Sequence, residues 1–199
     1  MFLQNQWYAV AWDHEIGNQP FARTICGEPI VFYRRADRSL AALEDCCSHR
    51  LLPLSKGFVK DDRIVCGYHG LAFNCTGACV DMPNQDGVPP GLDVRAYPVT
   101  ERYRFVWVWI GEAEKADEDL LPALPFCEDP AWAFDGDTYH VKCDYKLLVD
   151  NLMDLTHEAY VHPTSIGQEE LCAAPIETTS DENSVTVTRW MHDVEPPPF

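Results

Sequence analysis

Cys47-Ser48-His49 and Cys66-Gly67-Tyr68-His69 are the stretches on which the reading of this chain turns. Each short run offers one thiolate and one imidazole, and sixteen residues separate His49 from Cys66. A [2Fe–2S] cluster of mixed ligation needs this set, with two cysteines on one iron and two histidines on the other. Imidazole is neutral where thiolate is anionic. Such a cluster therefore carries less negative charge than an all-cysteine one and sits at a higher potential, about −150 to +300 mV. The pattern predicts electron transfer, with Cys47, His49, Cys66 and His69 as the ligands.

Two other readings compete. A structural zinc site also uses Cys and His, but as like pairs, two Cys at one spacing and two His at another. Nine cysteines and seven histidines in 199 residues also give some chance pairings. The flanks favour the cluster. Pro53 and Gly57 follow the first run, and Gly67 and Gly70 frame the second, which suits tight turns around a buried group.

The run Asp45-Cys46-Cys47-Ser48-His49-Arg50, then Pro53-Leu54-Ser55, then Cys66-Gly67-Tyr68-His69-Gly70, resembles the Rieske domain of ring-hydroxylating and O-demethylating non-haem iron oxygenases. High-potential respiratory Rieske proteins carry a further cysteine in each loop, joined as a disulfide. Leu52 and Tyr68 stand at those positions here, which points to the low-potential, oxygenase-type cluster.

Composition narrows the rest. Hydrophobic residues make up 46% of the chain, as in ordinary globular proteins. No apolar run reaches the ~18 residues of a membrane span. The start, MFLQNQWYAVAWDHEI, has no basic region or clean apolar core and does not read as a signal peptide. Nine cysteines without export predict reduced thiols and a cytoplasmic location. The seven cysteines outside the ligand set read as small buried hydrophobes. A net charge of −17 argues against nucleic acid as a partner, because no basic stripe can neutralise phosphates. The acidic run Glu112 to Asp119 reads as a solvated loop.

Residues 1–125 read as short strands and turns, an antiparallel β-sandwich with cluster-binding loops. Pro29–Tyr33 and Leu40–Leu43 flank the turn Ala36-Asp37-Arg38 as a hairpin leading into the first loop. Ile64-Val65 leads into the second loop, and Leu71–Phe73 leads out. Phe105–Ile110 is apolar throughout, as in a strand buried on both faces. Pro122, Pro125 and Pro130 punctuate a linker. Residues 126–199 read as the beginning of an α+β catalytic domain. A strand is expected at His140–Tyr145, a helix from Lys146 to Val161, and a strand at Ser184–Trp190.

That helix carries Asn151-x-x-Asp154-x-x-His157-x-x-x-x-His162. Asp154 and His157 fall on one helical face. His162 lies off that face, but Pro163 biases it out of the α region. The helix should loosen there and let the His162 ring swing back beside His157. Two imidazoles and one carboxylate make the facial triad of non-haem Fe(II) enzymes. Two surface histidines with a capping aspartate would give the same string.

The resemblance assigns roles. In the oxygenase family the matching helix supplies both iron-binding histidines, here His157 and His162. The matching aspartate, here Asp154, bridges an iron histidine to a Rieske histidine of a neighbouring subunit and carries the electron across. Gln6-Trp7-Tyr8, Cys143–Leu147 and Asp150–His157 resemble the aromatic O-demethylase branch in particular. This implies a [2Fe–2S] cluster, mononuclear Fe(II), an NAD(P)H-dependent reductase, O2, and a small aromatic acid such as vanillate, whose methoxy group is oxidised to phenol plus formaldehyde. It also implies a homo-oligomer, a trimer. Members of the family are longer and take a third iron ligand from a downstream carboxylate. Glu169, Glu170, Asp181, Asp193 and Glu195 follow His162, and none sits in a matching motif. The chain therefore reads as a Rieske domain plus the opening of a catalytic domain, inactive alone. The rival reading is a Rieske ferredoxin-like electron carrier with no substrate of its own.

Overall fold

The computed structural model describes residues 2–182 and 184–195. The last four residues of the expected second domain, 196–199, lie outside the described residues. The chain divides into two compact units, Met1–Thr138 and Tyr139–Phe199.

The first unit is built from short antiparallel strands. In chain order they are β1 (Gln6–Trp12), β2 (Phe21–Ile25), β3 (Glu28–Arg34), β4 (Leu40–Glu44), β5 (Phe58–Lys60), β6 (Arg63–Val65), β7 (Ala72–Phe73), β8 (Cys79–Asp81), β9 (Val99–Arg102) and β10 (Phe105–Ile110). They form three sheets, ordered β1-β10-β9, β2-β3-β4 and β5-β6-β7-β8. The expected hairpin is β3 with β4, in which Val31 faces Leu43 and Tyr33 faces Ala41.

The central sheet explains why Ile30-Val31-Phe32-Tyr33 is apolar at every position. Side chains alternate between the two faces of a strand. Val31, Tyr33, Ala41 and Leu43 enter one core with Leu54, Ile64, Leu71 and Phe73. Ile30, Phe32 and Ala42 enter a second core with Val10, Val106, Val108 and Ile110. Each large side chain buried this way contributes about 1.5–3 kcal/mol. β10 is likewise covered on both sides, since Trp107 and Trp109 are also buried. The indole N–H groups of Trp107 and Trp109 donate to the carbonyls of Arg102 and Glu112. The first of the two cores also contains Cys47 and Cys66, so the thiols are packed within it.

The second unit departs from the sequence expectation first around its helix. His140–Tyr145 is not a strand: it runs without pairing, and helix α1 (Tyr145–Met153) begins at its end. Asp144 caps that helix by accepting from the Lys146 N–H at 3.0 Å. The helix expected to continue to Val161 stops at Asp154 (φ −89°, ψ 95°), and a separate short helix α2 (Glu158–Val161) follows. The cause is local. The Asp154 carboxylate accepts from both the N–H and the hydroxyl of Thr156, at 2.8 and 2.5 Å. Such a turn satisfies the backbone outside the helix and competes with it. Asp154 and His157 are therefore not neighbours on one helical face, but the two ends of a turn.

The expected strand at Ser184–Trp190 is β12 (Val185–Arg189), paired with β11 (Ile176–Ser180), which the sequence reading missed. Of the seven spare cysteines, read from the sequence as buried, Cys79 is buried, Cys26, Cys46, Cys75 and Cys127 are half-buried, and Cys143 and Cys172 are exposed. Among the described residues no helix is long and apolar enough to cross a membrane.

Candidate metal centres

The two cluster loops share one construction. In the first, the Cys47 N–H donates to the Leu52 carbonyl at 2.9 Å and the Leu51 N–H donates back to the Cys47 carbonyl at 2.8 Å. In the second, the Cys66 N–H donates to the Leu71 carbonyl at 2.8 Å and the Gly70 N–H to the Cys66 carbonyl at 3.0 Å. The residue four after each cysteine takes a left-handed conformation, Leu51 at φ 60° and Gly70 at φ 78°. Both loops thus present a cysteine at the base and a histidine two or three residues on.

Glycines bring the loops together. A Cβ on Gly57 would lie 1.9 Å from the Val65 carbonyl oxygen and 3.1 Å from the Gly67 N. A Cβ on Gly67 would lie 2.8 Å from the Lys56 carbonyl oxygen. Backbone meets backbone there, so nothing flexible can give way. Gly57→Ala is expected to cost about 3 kcal/mol by overpacking, lowering the thermal midpoint by roughly 10 °C. Gly17→Ala, whose Cβ would meet nothing within 4 Å, is the control. Equal midpoints for the two variants would refute the close-approach argument.

The four ligand candidates converge. Cys47 and Cys66 are 1% and 2% exposed. The His49 and His69 rings lie 4.7 Å apart, edge to face, His49 half-buried and His69 exposed. Tyr68 stacks on His69 at 3.8 Å. Burial pushes the Cys47 thiol up to about 11, and its contact with Cys66 adds to this. Loading an iron cation would reverse that preference and release the protons. His49 Nδ1 is buried without a hydrogen-bond partner. An imidazole nitrogen is rarely left so unless a ligand takes its lone pair. The residues present fit a [2Fe–2S] group: two sealed thiols beneath, and two imidazoles at the rim, one with an open lone pair. All nine cysteines are free, in keeping with Leu52 and Tyr68 at the positions of the respiratory disulfide.

Sequence reasoning passed over what braces the first loop. Asp45 is buried, and its carboxylate accepts from the N–H and the hydroxyl of Ser55, both at 2.6 Å. The Ser48 hydroxyl donates to the Leu92 carbonyl at 2.5 Å. Asp45 and Ser55 were visible in the quoted runs, but nothing in the sequence paired them.

In the second unit the His157 and His162 rings lie 5.5 Å apart. The expected approach occurs, although the chain achieves it by breaking at Asp154 as well as by leaving the helix at His162 (φ −120°, ψ 45°). His157 Nδ1 lies 2.6 Å from the Asp154 carbonyl oxygen, and its Nε2 lies 3.4 Å from Asn151 Nδ2. The carboxyl of Asp154 is half exposed and 3.9 Å from His157 Nδ1. The Thr156 hydroxyl and N–H hold its pKa below the usual carboxylate value. Two imidazoles at this separation fit one metal ion. Among the described residues, no three His, Cys, Asp or Glu side chains gather as a complete mononuclear site would require. Glu169, Glu170, Asp181, Asp193 and Glu195 therefore supply no third ligand to His157 and His162.

Comparison with known proteins matches each of the two units to a family. Residues 6–98 match the Rieske [2Fe–2S] domain family, and residues 141–199 match the C-terminal domain of the vanillate O-demethylase oxygenase. The oxygenase subunit of vanillate O-demethylase from a Pseudomonas species is 48% identical over 100% of this chain and 56% of its own length. The crystal structure of dicamba monooxygenase bound to dicamba superposes with a TM-score of 0.86 at 39% identity, over 94% of this chain and 56% of that one. A structure of the same enzyme with non-haem iron and dicamba gives a TM-score of 0.78 at 38% identity, over 92% of this chain and 52% of that one. The chain thus spans about half the length of the relatives it matches.

Proposed function

The chain belongs to the Rieske non-haem iron oxygenase family, and from that premise we propose that it is the oxygenase polypeptide of an aromatic O-demethylase acting on a methoxylated aromatic acid such as vanillate. The observation that carries this reading is the presence in one chain of two ligand sets. Cys47, His49, Cys66 and His69 form the first. His157 and His162, with Asp154 beside them, are the second. A stand-alone electron carrier has use for the first set only.

In this proposal Cys47, His49, Cys66 and His69 hold the [2Fe–2S] cluster, and His157 and His162 hold mononuclear iron. Bound there, the cluster would supply stored electrons and the iron the chemistry of O2. The protein's part is geometry. Buried Cys47 and Cys66 keep one side of the cluster dry, while exposed His69 gives a partner access to the other. Asp154 holds His157 through its carbonyl, and while Thr156 takes up Oδ1, Oδ2 is the atom that would bridge to His69 of the partner subunit in a trimer. An NAD(P)H-dependent reductase provides two electrons. One oxygen atom of O2 enters the methoxy carbon and the other leaves as water. The resulting hemiacetal collapses to the phenol and formaldehyde. A reducing, cytoplasmic setting suits nine free cysteines.

The test is formaldehyde release from vanillate by the native holoprotein, given reductase and NADH, together with iron and sulfide per chain. Equal amounts of formaldehyde and phenol support the assignment. A reducible cluster with no substrate-dependent formaldehyde would leave a carrier. For the 199-residue chain by itself, the expected result is a retained cluster and a second iron that desalting removes, because two imidazoles without a carboxylate neither fix facial geometry nor offset the charge. A second iron retained through desalting would show that a third ligand exists.

A further inference from the structure

The turn that joins α1 to α2 carries both Asp154 and His157, and most of its hydrogen bonds are internal. Thr156 donates twice to the Asp154 carboxylate, and His157 Nδ1 meets the Asp154 carbonyl. A turn closed on itself has a shape but no anchor. Arg189, the last residue of β12, provides one: its Nη1 donates to the Leu155 carbonyl at 2.6 Å, 34 residues away in sequence. Leu155 lies between Asp154 and Thr156, at the middle of the turn. Arg189 is itself registered against Ile176 across the β11–β12 hairpin, so it ties the turn to a paired strand. Its Nε is buried without a hydrogen-bond partner. Leaving a guanidinium donor unpaired is costly, so the side chain is held where it is for the bond at its tip.

The consequence falls on His157. The Asp154 carbonyl oxygen can only accept, so at 2.6 Å the proton of a neutral His157 ring sits on Nδ1. Nε2 is then a bare lone pair, with the Asn151 amide nitrogen 3.4 Å away as a weak donor. In free neutral histidine the proton prefers Nε2. The bond made by the opposite nitrogen is what fixes the tautomer of a metal-binding histidine.

Resting on the reading of His157 as an iron ligand, we propose that Arg189 is a positioning residue. By holding the Leu155 carbonyl it keeps the Asp154 turn closed, and so presents His157 to a metal through a deprotonated Nε2. Arg189 does not touch the metal or the substrate in this role.

The experiment is ring-nitrogen NMR of the histidines in the full chain in three forms: the parent, Arg189→Met and Arg189→Lys. Met keeps the length and apolar stem and removes every donor. Lys keeps one donor for the Leu155 carbonyl. The parent and the Lys variant should show His157 protonated on Nδ1 alone. The Met variant should lose that pattern and revert toward the Nε2–H form, with the β11–β12 amide signals unmoved. A Met variant that keeps the hairpin and the Nδ1–H pattern overturns the proposal. If the Met variant loses the hairpin, the Lys variant decides: folded with Nδ1–H retained supports the role, folded with it lost overturns it. Adding Co(II) to the parent tests the underlying reading separately. If the His157 and His162 signals do not broaden, the metal assignment fails whatever the tautomer shows.

Discussion

Replacing His69 by alanine is expected to abolish the visible spectrum of the cluster and to release its inorganic sulfide, while the fold of the first unit survives. The loss should be complete because one iron would keep a single protein ligand, His49. The fold should survive because His69 is exposed and its ring meets the exposed Tyr68 and the half-buried His49 rather than either core. The cores around Val31 and Ile30 are untouched. His69→Cys separates ligation from shape. It should keep a cluster but move its potential from the Rieske range toward the roughly −400 mV of all-cysteine centres. Purified parent protein that contains zinc and no sulfide would remove the cluster assignment altogether.

The cluster loops were legible in the sequence because the chemistry of each ligand is fixed by residue type and both loops are short. The local spacing from Cys47 to His49 and from Cys66 to His69 needs no long-range information. β3 was legible for a different reason: four apolar residues in a row have one economical explanation, a strand between two cores. The second unit was less so. Leu148, Leu152 and Leu155 continue a helical period straight through the point where the helix ends. What stops it is a side-chain choice by Asp154, which prefers the Thr156 N–H to a helical continuation. Periodicity carries no trace of that. The pairs Asp45–Ser55 and Arg189–Leu155 are contacts between segments, and one sequence does not say which segments meet. The unpaired run His140–Tyr145 failed for the opposite reason. Its residues suit a strand, but no neighbouring strand pairs with it, and a strand without a ladder is not stable in isolation.

Asp154→Asn should leave cluster content and the His157–His162 geometry nearly intact and reduce turnover of the complete oxygenase about 100-fold, at the upper end of what the partners of metal-binding histidines contribute. The amide oxygen can still accept from the Thr156 N–H and hydroxyl, so the turn keeps its form. The Asp154 carbonyl still receives His157 Nδ1, because that contact belongs to the backbone. What disappears is the negative charge, and with it the strong charge-assisted hydrogen bond that the carboxylate would make to His69 of the partner subunit. The sign of the pH dependence follows from the hydrogen bonds to Thr156. They hold the carboxyl below its ordinary value, so the charge is fully present above about pH 5 and is lost only as pH falls through a value lower than the usual ~3.9. The Asn defect should accordingly be constant from pH 5 upward rather than growing or fading with pH. Single-turnover reduction of the second iron by a pre-reduced cluster isolates the step. Slowed transfer with unchanged iron content fits a bridge. Unchanged transfer would take Asp154 out of the electron path and leave it as the residue that ends α1.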